Sequence, residues 1–237
     1  MKVRPATSST ASFSPFLVLS AFFFSALLIV ALGQFTNLDL VLADRYWDTQ
    51  TKTFPLLHHW FTEGVIHGWL KYAFVVSGAV ILIVTIFDCF KTLSWLDPRY
   101  RHGLRLASIA AVLISTSVSM LKKLSFSHCP WDVDRYGGYA PYVRIFDPIP
   151  LGVTPGGCMP AGHATAALWI TALCLIFWPR HKKRGAQLLF LGLFLGLVFG
   201  WSQQMRGAHF FTHTLWSIWI TCAIIATVQF SSNLKLR

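Results

Sequence analysis

Six blocks of apolar residues divide this chain: roughly Phe13–Phe35, Val65–Phe87, Leu104–Met120, Ala161–Trp178, Ala186–Trp201 and Phe210–Phe230. A bilayer core takes about 20 apolar residues per helix. Four blocks meet that length comfortably. Those at Leu104 and Ala186 are shorter, as expected where polar helix ends line a site. Six such helices buried in a water-soluble protein would leave too little polar chain to cover them. The pattern therefore predicts an all-α integral membrane bundle of six transmembrane helices in a single domain, residues 1–237.

Two segments between blocks are substantial. Asn37–Gly64 mixes Leu, Phe and Trp with acids and His58/His59, and reads as lying along the interface, the depth that Trp and Tyr favour. Ser125–Met159, between spans three and four, holds Trp131, Tyr136, Gly137, Gly138, Tyr139, Pro141 and Tyr142. Gly, Pro and aromatic residues in that density predict an ordered irregular loop capping a site.

Charge gives the orientation. Lys2 and Arg4, then Lys91, Arg99, Arg101 and Arg105, then Arg180, Lys182, Lys183 and Arg184, then Lys235 and Arg237 all fall on one side of a six-span chain. Short loops rich in Lys and Arg stay cytoplasmic, so both ends are expected inside and the Ser125–Met159 loop outside. Topology thus accounts for much of the net charge of +11, which is no sign of nucleic-acid binding. Lys2 and Arg4 before an apolar run also resemble a signal peptide, with Ala31-Leu32-Gly33 as a cut site. The run is long for that role, and the expectation is a retained first span. Of five cysteines, Cys89, Cys174 and Cys222 read as small packed residues. Cys129 and Cys158 share the outward loop, where an oxidising compartment would let them pair; the alternative is that Cys129 is a free packed thiol.

The candidate chemistry sits at block ends. Lys122 and Lys123 end the third block, and His128, Cys129 and Pro130 follow. Lysines at a span end commonly snorkel, but an outward end should hold few of them, and phosphate binding explains a pair. Pro160-Ala161-Gly162-His163 opens the fourth block. Proline suits a first helical turn, Gly162 admits close approach to the backbone, and free N–H groups there attract an anion. His209 and His213 are four apart, on one helix face, with Arg206 three residues before His209. One imidazole of such a pair can attack phosphorus while a neighbour holds its other nitrogen. The rival reading is a metal site, since His-x-x-x-His is ligand spacing; no third ligand is evident.

These three segments resemble the type-2 phosphatidic acid phosphatase (lipid phosphate phosphatase) superfamily. The family reads Lys, six residues, Arg-Pro; Pro-Ser-Gly-His; and Ser-Arg, five residues, His, three residues, Asp. Here Lys122 is followed after six residues by Cys129-Pro130, Ala161 replaces the serine, and Ser202-Gln203 leads after five residues to His209 and after three more to His213. The resemblance implies His209 as nucleophile forming a phosphohistidine, His163 as the acid that protonates the leaving group, and Lys122 with the backbone N–H groups near Gly162 as phosphate ligands, with no cofactor or metal. Cys129 and Gln203 stand where the family has arginines, and His213 where it has an aspartate. Arg206, one turn from Gln203, and Arg135 or Arg144 in the loop are candidate replacements, beside Lys123. Asp132 or Asp134 is a candidate for the missing negative charge, and His213 for accepting a hydrogen bond from His209. The expected activity is a bacterial inner-membrane lipid phosphatase facing the periplasm. Its alternatives are a lipid-to-lipid phosphotransferase and a non-catalytic lipid-phosphate-binding protein. The partners are then a phosphorylated lipid and the bilayer; the sequence leaves the oligomeric state open. The absence of an Asn-x-Ser/Thr sequon fits a bacterial source.

Overall fold

The computed structural model describes residues 14–178 and 180–234. Lys2, Arg4, Phe13, Lys235 and Arg237, which entered the orientation and span readings, lie outside them. The described chain is helical, with isolated β-bridges only. We number its helices α1 (Pro15–Phe35), α2 (Leu38–Asp44), α3 (Trp60–Phe90), α4 (Pro98–Leu124), α5 (Gly162–Phe177), α6 (Lys182–Met205) and α7 (Phe211–Leu234).

Five of these, α1, α3, α4, α6 and α7, are long and apolar enough to cross a membrane. Their outer faces expose Phe23, Leu28, Val76, Ile83, Phe190 and Phe194, the surface of a bundle solvated by lipid and not by water. The sixth block forms the shorter α5. Its middle, Trp169–Leu173, winds as 3-10 helix, which rises about 2.0 Å per residue against about 1.5 Å in an α-helix. α5 is the central element, packed against α3, α4, α6 and α7. That position explains its many small residues: Ala161, Ala164, Ala167 and Ala172 are buried against their neighbours.

α6 approaches α5 and α7 closely because one of its faces is glycine. Gly192, Gly196 and Gly200 recur every four residues. A Cβ there would collide with Thr171, Leu168 and Thr214 respectively. Small residues at that spacing let helix backbones meet in a bilayer, where packing carries association.

The blocks read short at most ends. α3 begins at Trp60 instead of Val65, and α4 runs from Pro98 to Leu124. Asp97 caps α4 by accepting from the Arg99 N–H at 2.9 Å, with Pro98 in the first turn; charged residues therefore occupy helix that an apolar count leaves out. Asp88, buried at the end of α3, accepts the Leu93 N–H at 3.0 Å and pairs with Arg101 at 3.0 Å and Arg105 at 3.5 Å. Two of the arginines counted for topology thus also neutralise a buried acid. Arg180 donates to the Arg99 carbonyl at 2.9 Å, so both basic loops share one end of the bundle.

The opposite end is built by residues 36–59, 125–161 and 206–210. Much of Asn37–Gly64 is packed against the rest of this end. α2 and the turn after it pack on the long loop, burying Ala43 and Phe54 with Val133, Tyr136 and Phe210. Buried Asp39 accepts the Thr212 N–H at 2.9 Å and the Thr212 hydroxyl, fixing the start of α7. Its carboxyl is pushed above its usual range by burial.

Candidate active site

The three sequence segments meet at this second end. α5 starts at Gly162, so Pro160 precedes the helix and is not in its first turn. Ala161 is tied to α7: its N–H donates to the His213 carbonyl at 3.1 Å, and its carbonyl accepts from the Ser217 hydroxyl at 3.1 Å. These bonds place His163 beside the loop that enters α7. His163 Nδ1 lies 3.2 Å from His209 Nε2. Lys122, from the end of α4, is half-buried, with Nζ 4.0 Å from where a Gly162 Cβ would stand. Lys123 is exposed and remains outside the cluster.

His209 lies outside the helix, just before α7, so it does not share a helix face with His213. Its Nδ1 lies 3.2 Å from Cys158 Sγ. Cys158 is bonded to Cys129, and a disulfide sulfur has no hydrogen to give. The proton is therefore on Nδ1, which leaves the Nε2 lone pair facing His163. Burial, with His213, His163 and Lys122 nearby, holds the His209 imidazole well below its ordinary value, so the ring is neutral.

His213 does not accept from His209. The two rings meet edge to face at 5.8 Å, and His213 Nε2 pairs with the Ser127 hydroxyl at 2.9 Å. Both nitrogens of His209 and Nε2 of His213 already face other partners. Cys129, Cys158 and His209 bring ligand-type atoms within 4.8 Å, but the sulfurs are joined and offer no thiolate.

The candidate replacement cations divide sharply. Arg206, capping the end of α6, is 4% exposed. It donates to Gln203 Oε1 at 3.0 Å, to the Leu57 carbonyl at 2.9 Å and to Glu63 at 3.4 Å. Gln203 is buried beside it. Arg135 is not available. Its guanidinium is held by both oxygens of Asp44 at 2.9 and 2.7 Å, and the pair keeps the Asp44 carboxyl below its usual range. Arg144 donates to Asn37 at 2.7 Å and lies over Tyr142. Asp132 accepts from the Trp131 indole, and Asp134 from the Arg135 N–H; neither meets His209 or His213. Among the described residues, no carboxylate pairs with His209.

Sequence reasoning passed over His67, whose Nε2 is 2.9 Å from His163 Nε2, and Ser127. An ionisable residue inside an apolar block was the signal for His67; Ser127 gave none.

The Cys129–Cys158 bridge closes a loop with a sequence separation of 29. Such a crosslink contributes roughly 3.6 kcal/mol in the chain-entropy estimate. Intact mass with and without reductant, after alkylation, should show both thiols blocked until reduction. Alkylation of both in the untreated protein would eliminate the bridge.

A family model described as the PAP2 superfamily matches residues 103–235. No curated protein matches the chain, and no solved structure matches it.

Proposed function

This chain belongs to the PAP2 superfamily, whose activity is phosphatase-type on phosphorylated substrates, and from that premise we propose that it dephosphorylates a phosphorylated lipid through a phosphohistidine on His209. The observation that carries this reading is the free Nε2 of a neutral, buried His209 aimed at His163 Nδ1, with Lys122 and Arg206 beside them. His209 Nε2 attacks phosphorus and a P–N bond forms as the P–O bond breaks. His163 gives its Nδ1 proton to the departing oxygen. Water then attacks the phosphohistidine, His163 takes up the water's proton, and phosphate leaves. Lys122, Arg206 and the first N–H groups of α5 stabilise charge on the phosphoryl oxygens, the main task in this chemistry. The cycle balances with water alone.

A lipid is favoured by an apolar cavity that reaches Ser127, the partner of His213. A cavity of about 480 Å³ opens between α4 and α7, lined by Leu121, Leu124, Phe126, Trp216, Trp219 and Ile220, and reaches Ser127 and Pro160. Apolar walls leading to a polar end suit a chain with a charged head. We read α5 as a sixth, fully enclosed span, which puts both basic loops on the cytoplasmic side and the disulfide-bearing site in an oxidising space, the bacterial periplasm. Reporter fusions after Arg184 and after Tyr142 should then report opposite sides; the same side for both would require another span count.

The deciding experiment is phosphate release by the purified protein from a panel of lipid phosphates: phosphatidic acid, phosphatidylglycerol phosphate, a polyprenyl diphosphate and lipid A. Free phosphate from at least one supports hydrolysis. Transfer to another lipid without free phosphate makes it a phosphotransferase. Binding without either makes it a lipid-phosphate-binding protein.

A further inference from the structure

α3 does not begin as an α-helix. Trp60–Leu70 is wound as π-helix, and the α-helical turns start at Lys71. Such i→i+5 turns are rare and recur at functional sites. Here the widened turn carries His67 against His163, with ring centroids 4.6 Å apart. His163 is held on both nitrogens: Nε2 by His67 Nε2 at 2.9 Å, and Nδ1 by His209 Nε2 at 3.2 Å. His67 is half-buried, and among the described residues its Nδ1 takes no hydrogen bond. It also lies outside the residues that match the family, 103–235.

The hydrogen bonds fix one tautomer for each ring. His209 carries its proton on Nδ1, toward sulfur, so its Nε2 accepts. His163 must then donate from Nδ1, and its Nε2 accepts. His67 must donate from Nε2, and in a neutral ring its Nδ1 is then an acceptor open to water. In their neutral forms the three imidazoles are ordered head to tail.

We infer that His67 is a positioning and proton-relay residue, which holds His163 in the donating tautomer and connects it to solvent. The inference rests on the phosphatase reading above. As the His163 Nδ1–H bond breaks and its proton joins the departing oxygen, the His67 Nε2 proton moves to His163 Nε2. A solvent proton enters at His67 Nδ1. When water attacks the phosphohistidine, the sequence reverses. His163 Nδ1 takes the water's proton, His163 Nε2 returns a proton to His67 Nε2, and His67 Nδ1 releases one to solvent. One proton enters and one leaves per cycle. Lys71, Lys122 and Arg206 crowd His163, and Glu63 stands near His67. A relay through neutral rings adds no charge to that group of cations.

The test compares wild type, His67→Gln and His67→Phe in the full-length protein, in nanodiscs. Two substrates are used: an alkyl lipid phosphate, whose alkoxide needs a proton to leave, and p-nitrophenyl phosphate, whose nitrophenolate does not. The readout is first-turnover release of the alcohol or nitrophenol, which reports P–O cleavage before water enters. Glutamine can donate to His163 Nε2 but cannot pass a proton. His67→Gln should lose about 10²-fold on the alkyl ester, the low end of a general acid's contribution, and at least tenfold less on the aryl ester. Equal losses on both substrates, or no loss on either, would overturn the relay. ¹⁵N NMR of the histidines supplies a readout independent of turnover. His163 should be protonated on Nδ1 in wild type and His67→Gln, and lose that preference in His67→Phe. An unchanged His163 tautomer in all three proteins, or an Nε2 proton in wild type, would overturn the inference even if no substrate is turned over. Absence of phosphate release in wild type, with the NMR result as expected, would count against the phosphatase reading alone.

Discussion

His209→Ala is expected to abolish phosphate release, to below roughly 10⁻⁴ of the parent rate, the scale of removing a nucleophile from a site whose remaining groups still bind. The Nε2 of His209 carries a free pair aimed at the Nδ1 proton of His163, while the Nδ1 of His209 is anchored at Cys158. His213 cannot take over, because its Nε2 pairs with Ser127 and its ring turns an edge toward His209. His213→Ala should therefore keep measurable turnover. His209 lies in the short connection between α6 and α7, so its loss leaves the helix contacts intact. The thermal transition of the detergent-solubilised variant should stay within a few degrees of the parent. Quench of the parent during turnover with denaturing detergent at alkaline pH, where the P–N bond survives, should trap phosphate on His209, identified by mass after digestion at alkaline pH. Retention of most of the activity by His209→Ala would sink the mechanism.

The bundle was legible in the apolar blocks because a bilayer imposes a length on each helix. Where charges enter a helix end, the blocks fell short. α4 carries Arg99, Arg101 and Arg105 inside its first turns, two of them on Asp88. α5 is the reverse case: an apolar block that the structure makes the enclosed centre, shorter than its neighbours and partly 3-10. At the candidate site, fixed spacing made Lys122, His163 and His209 legible as a set, since each ends or begins a helix at the same end of the bundle. Spacing could not say which spare cation joins them. Arg135 and Arg206 look alike in sequence, yet Asp44, 91 residues from Arg135, claims one, and the C-terminal turn of α6 delivers the other. The partner of His163 was hidden for a similar reason. His67 sits in an apolar stretch, and its direction is set by π winding that no periodicity announced.

Arg206 is where the largest effect short of losing the nucleophile is expected. The family's arginine position holds Gln203, which cannot carry charge. Arg206 follows one helical turn later and donates to the Gln203 carbonyl oxygen. Its backbone partner, Leu57, and the half-exposed Glu63 hold the rest of the fork. A buried guanidinium kept in one orientation stabilises developing charge without reorganising, and removing one such donor costs about 10²- to 10³-fold in rate. Arg206→Ala should lose that much in kcat/KM on every substrate that the protein accepts. Gln203→Ala should lose much less, because two other contacts still orient Arg206. Arg206→Lys should fall between, since an ammonium restores charge but not the fork that reaches Gln203 and Leu57 together. The alanine variant strands the Leu57 carbonyl, a cost of about 1–3 kcal/mol if it stays buried, so rates must be compared below its own unfolding transition. A Gln203→Ala loss larger than that of Arg206→Ala would show that the glutamine, and not the arginine, meets the phosphoryl group.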